Sequence, residues 1–458
     1  MAEETQVLVK FVTKLPAHLR VPETPVAVPS DLKRYGLSQI INHLLALDPP
    51  RPFDFLIDGE LVRKSLEQHL LAHNLSAEST LEVEYVPAVV PPQQKNSTPH
   101  DDWVSSVDGS RCAPASSSGG SPSGVVVSGS YDGLLRLWNG DLEAVASVSA
   151  HAGGVNCVRF LPKSQGDLLL TSGKDRLVKM WQLESSSEEE DAGPSCRLVA
   201  TYRGHEDGVE AVAASPSGRR FASCGWDGKL LVWEGGRAVA EAAEADEAAG
   251  TAEASKKKRK TGTANGSAAA GAGGLTIAEP SADLRGHLHC VSSVAWPAEN
   301  SLFSGGWDHS VRRWDVSSGA AADTYNGSKA VLCIASHAAS PALVAFGCSD
   351  RALRLWDTRG KAGSDALAVT TQGAHGGWVT AVAWCPSSQH HIASASHDGT
   401  IKMWDIRTQI PLGMLSHHTD KVLALGWLGG AEAGHARGLV SGGADCQLRM
   451  YESDYIVS

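Results

Sequence analysis

The sequence predicts a mainly β chain in which one small sheet unit recurs, preceded by a compact α+β domain, and three observations carry that prediction. The first is the stretch 286–315, GHLHCVSSVAWPAENSLFSGGWDHSVRRWD, in which Val291, Val294 and Trp296 alternate as one short strand, residues 302–305 form a second and residues 311–314 a third, with tight turns between them. The second is that this pattern returns before and after itself. The third is that the first 86 residues follow a different order, with helical spacing set among strands.

Aligning each histidine that stands four residues before a strand-opening valine with the next turn aspartate and the next strand-closing aromatic gives seven sets. They are His100, Asp132, Trp138; His151, Asp175, Trp181; His205, Asp227, Trp233; His287, Asp308, Trp314; Asp350 with Trp356; His375, Asp398, Trp404; and His418, Asp445, Tyr451. In the fifth set Asn326 and Gly327 stand where the histidine belongs, and the seventh closes on tyrosine. Each unit spans about forty to fifty residues, the length a four-stranded sheet needs, except between Trp233 and Trp314, where an insertion intervenes.

These units resemble WD repeats, the blades of a β-propeller. The expected fold is therefore a seven-bladed WD-repeat propeller over residues 87–458. In that family the buried indole N–H of the Trp meets a strand Ser or Thr, which also meets the His, whose other nitrogen faces the turn Asp. The resemblance makes His151 with Asp175, His205 with Asp227, His287 with Asp308 and His375 with Asp398 structural pairs, and Ser304 the hydroxyl of the fourth unit. A Ser, His and Asp together also suggest a hydrolytic triad. Repetition argues against it, since an enzyme needs one such set in one cleft rather than several around a ring.

Composition bounds the remainder. The 458 residues suffice for one propeller and one smaller domain, and no apolar run approaches the roughly twenty residues of a membrane span. No signal peptide is recognisable, so a soluble intracellular protein is expected. Nine cysteines occur without a CxxC pair, and Cys157, Cys290 and Cys333 fall on first strands, which predicts reduced packing thiols, no bound metal and no cofactor. A formal charge of −11 favours protein partners over general binding to a phosphate backbone.

At the start, residues 6–13 alternate as a strand, and residues 22–29 read as a turn followed by a short second strand. Leu37, Ile41, Leu44 and Leu45 lie on one helical face, with Pro49 and Pro50 as the stop. Residues 53–57 form a strand, Asp58 and Gly59 a hairpin turn, and residues 60–62 its return; a helical piece at 65–72 precedes a closing strand carrying Leu81, Val83 and Tyr85. This order resembles a ubiquitin-like β-grasp domain over residues 1–86. The chain runs on through Pro87, Pro91 and Pro92 instead of ending in an exposed diglycine, so the domain is expected to dock and not to be conjugated.

The two halves together, with the phrases LKRYGLSQIINHLL, PFDFLIDGELVR and DDWVSSVDG, resemble a eukaryotic family of WD-repeat ribosome-assembly factors with a Notchless-like N-terminal domain. The resemblance implies a non-enzymatic factor for maturation of the large (60S) subunit and its pre-rRNA. It implies work with Pescadillo and Block of proliferation on pre-60S particles, in the nucleolus and nucleoplasm of the nucleus. It further implies that the N-terminal domain is gripped by the Midasin AAA ATPase. There a glutamate in the loop before the last strand, matched here by Glu78, completes the coordination of a Mg²⁺ held by the ATPase. Asp58 and Glu60 lie in another turn and are weaker candidates for that role.

Two inserts, 184–194 and 235–281, lack apolar periodicity and are expected to be disordered. The second carries Lys256, Lys257, Lys258, Arg259 and Lys260, a basic cluster that reads as a nuclear import signal ahead of a solvated charge run or an RNA contact. A different reading is a substrate receptor of a cullin-type ubiquitin ligase, resting on WDTR at 356–359 and WDIR at 404–407. For the strand that completes the last unit, the repeat order favours residues 86–90 over the tail after Tyr451.

Overall fold

The computed structural model describes residues 6–15, 17–48, 50–62, 64–73, 80–88, 92–113, 123–162, 167–184, 195–235, 275–360, 368–407, 411–429 and 438–452. The N-terminal unit runs β1 (Gln6–Val12), β2 (Val26–Pro29), α1 (Arg34–Leu45), β3 (Phe53–Ile57), β4 (Glu60–Leu61), α2 (Leu66–His73) and β5 (Leu81–Pro87). Its sheet has the order β2-β1-β5-β3-β4, with β1 and β5 parallel in the register Val9 to Leu81 and Phe11 to Val83. Alternation in β1 buries Val7, Val9 and Phe11, and Leu37 and Ile41 of α1 close over them with Phe53, Phe55 and Tyr85. The Tyr85 hydroxyl donates to the Leu19 carbonyl at 2.7 Å and accepts the Val21 N–H at 2.9 Å, which pins the loop before β2 to the core.

Two local expectations need correction. Helix α1 is ended by Ala46, in the left-handed region at φ 50°, before either proline: the Ala46 and Leu47 N–H groups return to the His43 and Asn42 carbonyls. Leu44, placed on the apolar face by its spacing, is 42% exposed. The hairpin turn is as expected, with Asp58 at φ 50° and Gly59 at φ 84°, the signs that a tight two-residue turn between twisted strands requires.

Seven further sheets follow, each antiparallel in its main ladder. Their first strands are Val104–Ala113, Val155–Phe160, Val209–Ala214, Val291–Ala298, Val331–His337, Val379–Trp384 and Val422–Leu428. Each packs on the next and the last packs on the first, so these strands line a closed ring. All seven open on a buried valine, and in all seven the pairing slips by one residue directly after it. Such a bulge re-aims one side chain. Here the re-aimed residues are Ser105, Asn156, Glu210, Ser292, Leu332, Thr380 and Leu423, and they line one end of the central channel. Four of them stitch neighbouring units by donating to the next opening valine's carbonyl: Ser105 to Val155, Asn156 to Val209, Ser292 to Val331 and Thr380 to Val422, at 2.5 to 3.0 Å.

The ring is closed by β6 (Gln93–Pro99), which pairs antiparallel with Gln447–Glu452 as the outer strand of the seventh sheet. The closing segment thus comes from upstream, as the repeat order indicates, yet not from residues 86–90: Val86 and Pro87 are taken by β3, opposite Asp54 and Phe53. Lys95 fastens the seam through ion pairs with Glu452 and Asp141. The downstream end of the second insert also needs correction. Leu275–Ile277, counted there as disordered, pairs in parallel with Ser195–Arg203 as a fifth strand of the second sheet, and Ser281 donates to the Val232 carbonyl. Its LTI triplet is a short β-forming run.

Candidate functional site: the polar relays and the two mouths of the ring

Each expected His and Asp pair lies within one unit, the histidine just before the first strand and the aspartate in the turn before the third. In the second unit the Trp181 indole N–H donates to the Thr171 hydroxyl at 2.9 Å, that hydroxyl lies 2.8 Å from His151 Nε2, and His151 Nδ1 lies 2.8 Å from Asp175. The direction of the chain follows from its ends. An indole can only donate and a carboxylate can only accept, so His151 Nδ1 carries the proton that faces Asp175, and with a neutral ring the threonine donates to Nε2. The third, fourth and seventh units repeat the His to Asp contact: His205 to Asp227 at 2.9 Å, His287 to Asp308 at 2.8 Å and His418 to Asp445 at 3.0 Å, with Ser223, Ser304 and Ser441 as the hydroxyls. Burial alone would raise these carboxyls, but the histidine N–H and backbone N–H groups outweigh it and hold Asp445 at about 2.

Three units depart from the pattern. In the sixth, His375 Nδ1 lies 3.4 Å from Asp398, which instead takes Thr400 and the Gly376 N–H. In the first, Arg136 captures Asp132 at 2.7 Å, and among the described residues His100 Nδ1 has no side-chain partner. In the fifth, which has no histidine, Arg354 forks onto Asp350 at 2.9 and 2.6 Å, Phe346 stands where the hydroxyl would be, and the Trp356 N–H is unpaired. The relay hydroxyls Ser128, Thr171, Ser223, Ser304, Ser394 and Ser441 are all wholly buried. A nucleophile needs a route for its substrate, and these have none.

Each end of the channel opens on a different surface. Where the first strands end, Phe160, Trp296, Trp384 and Trp427 line a cavity of about 570 Å³. Where they begin, Tyr131, Trp226, Trp307, Trp378 and His397 surround a recess of about 300 Å³. Trp226 and Trp307 meet at 5.5 Å between ring centres, and Trp378 stacks on His397 at 5.5 Å. Composition and repeat spacing gave no indication of this rim, because its tryptophans precede turn aspartates or opening valines rather than closing strands.

Glu78 and the cluster Lys256 to Lys260 lie outside the described residues. Asp58 and Glu60 are exposed at the tip of the hairpin. In the WDxR segments Arg359 forks back onto Asp357 and Arg407 onto Asp405, so each arginine closes the turn after its own strand. Among the described residues no three His, Cys, Asp or Glu side chains group to hold a metal, and no helix is long and apolar enough to cross a membrane. The nine cysteines are free thiols, seven of them buried; burial pushes the Cys112 thiol up to about 11.

Residues 7–70 match the NLE (NUC135) domain, and six segments, 93–139, 142–182, 196–234, 278–315, 320–357 and 368–405, match the WD domain, G-beta repeat. The first three strands of the seventh sheet, with tyrosine in the closing position, lie outside those segments. Over its full length the chain is 96% identical to a "Ribosome biogenesis protein WDR12 homolog" of Chlamydomonas reinhardtii, covering all of both sequences. It is 38% identical to the protein of the same description in Arabidopsis thaliana, over 96% of this chain and 95% of that one. It is 32% identical to "Ribosome biogenesis protein YTM1" of Eremothecium gossypii, over 99% of both.

Proposed function

Because the chain belongs to the WDR12/Ytm1 family of ribosome biogenesis proteins, we propose that it is a non-enzymatic assembly factor of the large ribosomal subunit. The observation that carries this reading is similarity over essentially the whole length to ribosome biogenesis proteins of a green alga, a land plant and a fungus, with both domain types in the same order. In this reading the ring scaffolds a complex with Pescadillo and Block of proliferation on pre-60S particles, in the nucleolus and nucleoplasm. The N-terminal domain presents Glu78 to Midasin, and Lys256 to Lys260 direct nuclear entry.

A closed ring suits the scaffold role, since each of its seven sheets packs on the next and its seam is fastened by β6. A single carboxylate supplied in trans suits the docking role. A hard divalent cation takes oxygen ligands, and a shared ligand makes the bond reversible. Glu78→Asp shortens the side chain by roughly 1.5 Å, which exceeds the few tenths of an ångström that coordination tolerates. The test is Mg²⁺-dependent capture of the full chain by the adhesion domain of Midasin. Glu78→Ala and Glu78→Asp are expected to lose capture while still joining Block of proliferation; capture of Glu78→Ala at the native level would remove Glu78 from this role.

A further inference from the structure

The seven bulge residues at the start of the first strands line one end of the channel, and six of them are uncharged. The seventh is Glu210. Where its serine, threonine and asparagine counterparts stitch one unit to the next, a carboxylate has no proton to donate, so the link from the third unit to the Val291 carbonyl is missing. The carboxylate instead accepts the Trp226 indole N–H and one N–H of the Asn156 amide, and among the described residues it has no ion pair. An acid here forgoes an inter-unit bond available to serine.

Its surroundings are aromatic. Trp226 is 49% exposed, Trp307 40% and Trp378 44%, all at the same mouth of the ring, and a second recess of about 240 Å³ adjoins it between Trp226, Trp307 and Leu288. The mouth already holds cations on ring faces: Lys174 Nζ stands 3.8 Å above the centre of Tyr131, and Lys421 Nζ 5.7 Å from that of Trp103. The Trp226 and Trp307 faces beside Glu210 carry no such cation among the described residues. Deeper in, Arg159 is tied to the Val107 carbonyl at 3.0 Å and sets a positive floor that limits how far a second cation can enter.

We infer that this mouth is a receptor for one cationic side chain, a lysine, methylated lysine or arginine presented by a partner polypeptide, with Glu210 as counter-charge and Trp226 and Trp307 as the walls. Electrostatic attraction to the indole quadrupole and to a desolvated carboxylate act together on such a guest. Burial drives the Glu210 carboxyl above its ordinary range, against the pull of Trp226 and Lys174, so a bound cation returns to it the stabilisation that desolvation removes.

The test uses the full chain labelled with 5-fluorotryptophan, with the Trp226 and Trp307 resonances assigned from Trp→Phe variants. The probes are Nα-acetyl-lysine methylamide, its trimethyl-lysine and arginine counterparts, and the uncharged norleucine analogue. At least one cationic probe is expected to shift both resonances saturably, with norleucine at least about tenfold weaker. The three cationic arms distinguish which head group the site prefers. Glu210→Gln keeps an acceptor for Trp226 and is expected to lose about tenfold in cation affinity. Glu210→Ser is expected to gain the missing stitch to Val291, melt no lower than the native protein, and likewise lose the cation. Equal binding of norleucine, undiminished binding by a folded Glu210→Gln protein, or unmoved Trp226 and Trp307 resonances with every cationic probe would overturn the inference.

Discussion

Replacing Thr171 by valine removes one hydroxyl at nearly constant shape and separates the polar relay from the packing around it. Thr171 is wholly buried, and its hydroxyl is the acceptor for the Trp181 N–H at 2.9 Å and the partner of His151 Nε2 at 2.8 Å. Thr171→Val therefore strands a buried donor and a buried acceptor. At about 1 to 3 kcal/mol each, less about 1 kcal/mol for the added apolar burial, the expected net cost is about 1 to 5 kcal/mol. Thr171→Ser keeps the relay and loses one methyl, about 1 kcal/mol. With an unfolding entropy of about 2.1 cal/mol/K per residue over a unit of roughly 350 residues, 1 kcal/mol corresponds to about 1.4 °C. Calorimetry should place Thr171→Val about 1 to 7 °C below the native protein and below Thr171→Ser, which should stay within about 2 °C of the native protein. If the two variants melt together, the hydroxyl contributes nothing and the relay account is wrong.

Two further outcomes follow from the same geometry. Burial holds His100 and His375 at about 4, below the unfolded 6.5, so the unfolded chain takes up these protons first: their contribution is complete above pH 6.5 and declines as pH falls towards 4. A second loss follows below 3.8, as pH falls towards the value of about 2 at which Asp398 and Asp445 are held; melting temperature against pH should show both stages, and a flat profile from pH 7 to 4.5 would contradict the first. Deleting residues 93–99 exposes the outer edge of Gln447–Glu452, which should produce concentration-dependent association on size-exclusion chromatography; a monomer with native melting behaviour would show that β6 is not the closure.

The architecture was legible because each unit repeats its constraints. An opening valine, a turn aspartate and a closing aromatic recur at similar spacing, and one position read in seven contexts averages out local ambiguity. The N-terminal order was legible from period alone, down to the Asp58 and Gly59 turn. What stayed hidden depends on partners distant in sequence. Nothing local to Gln93–Pro99 marks it as the last outer strand, since its alternation is polar and its partner lies some 350 positions downstream. Arg354 could be recognised as a stand-in for a histidine only once the strand geometry put it on Asp350. Glu210 likewise looks like an ordinary strand acid until the bulge after Val209 turns it into the channel. Leu44 shows the reverse case, a correct period with no neighbour to cover it.

Large-subunit assembly is the claim on which the functional account stands, and conditional depletion followed by sucrose-gradient sedimentation tests it most directly. The account predicts a fall in free 60S subunits relative to 40S, with accumulation of unprocessed large-subunit pre-rRNA, restored by the native chain. A balanced fall of both subunits, or an unchanged profile after depletion, would contradict it.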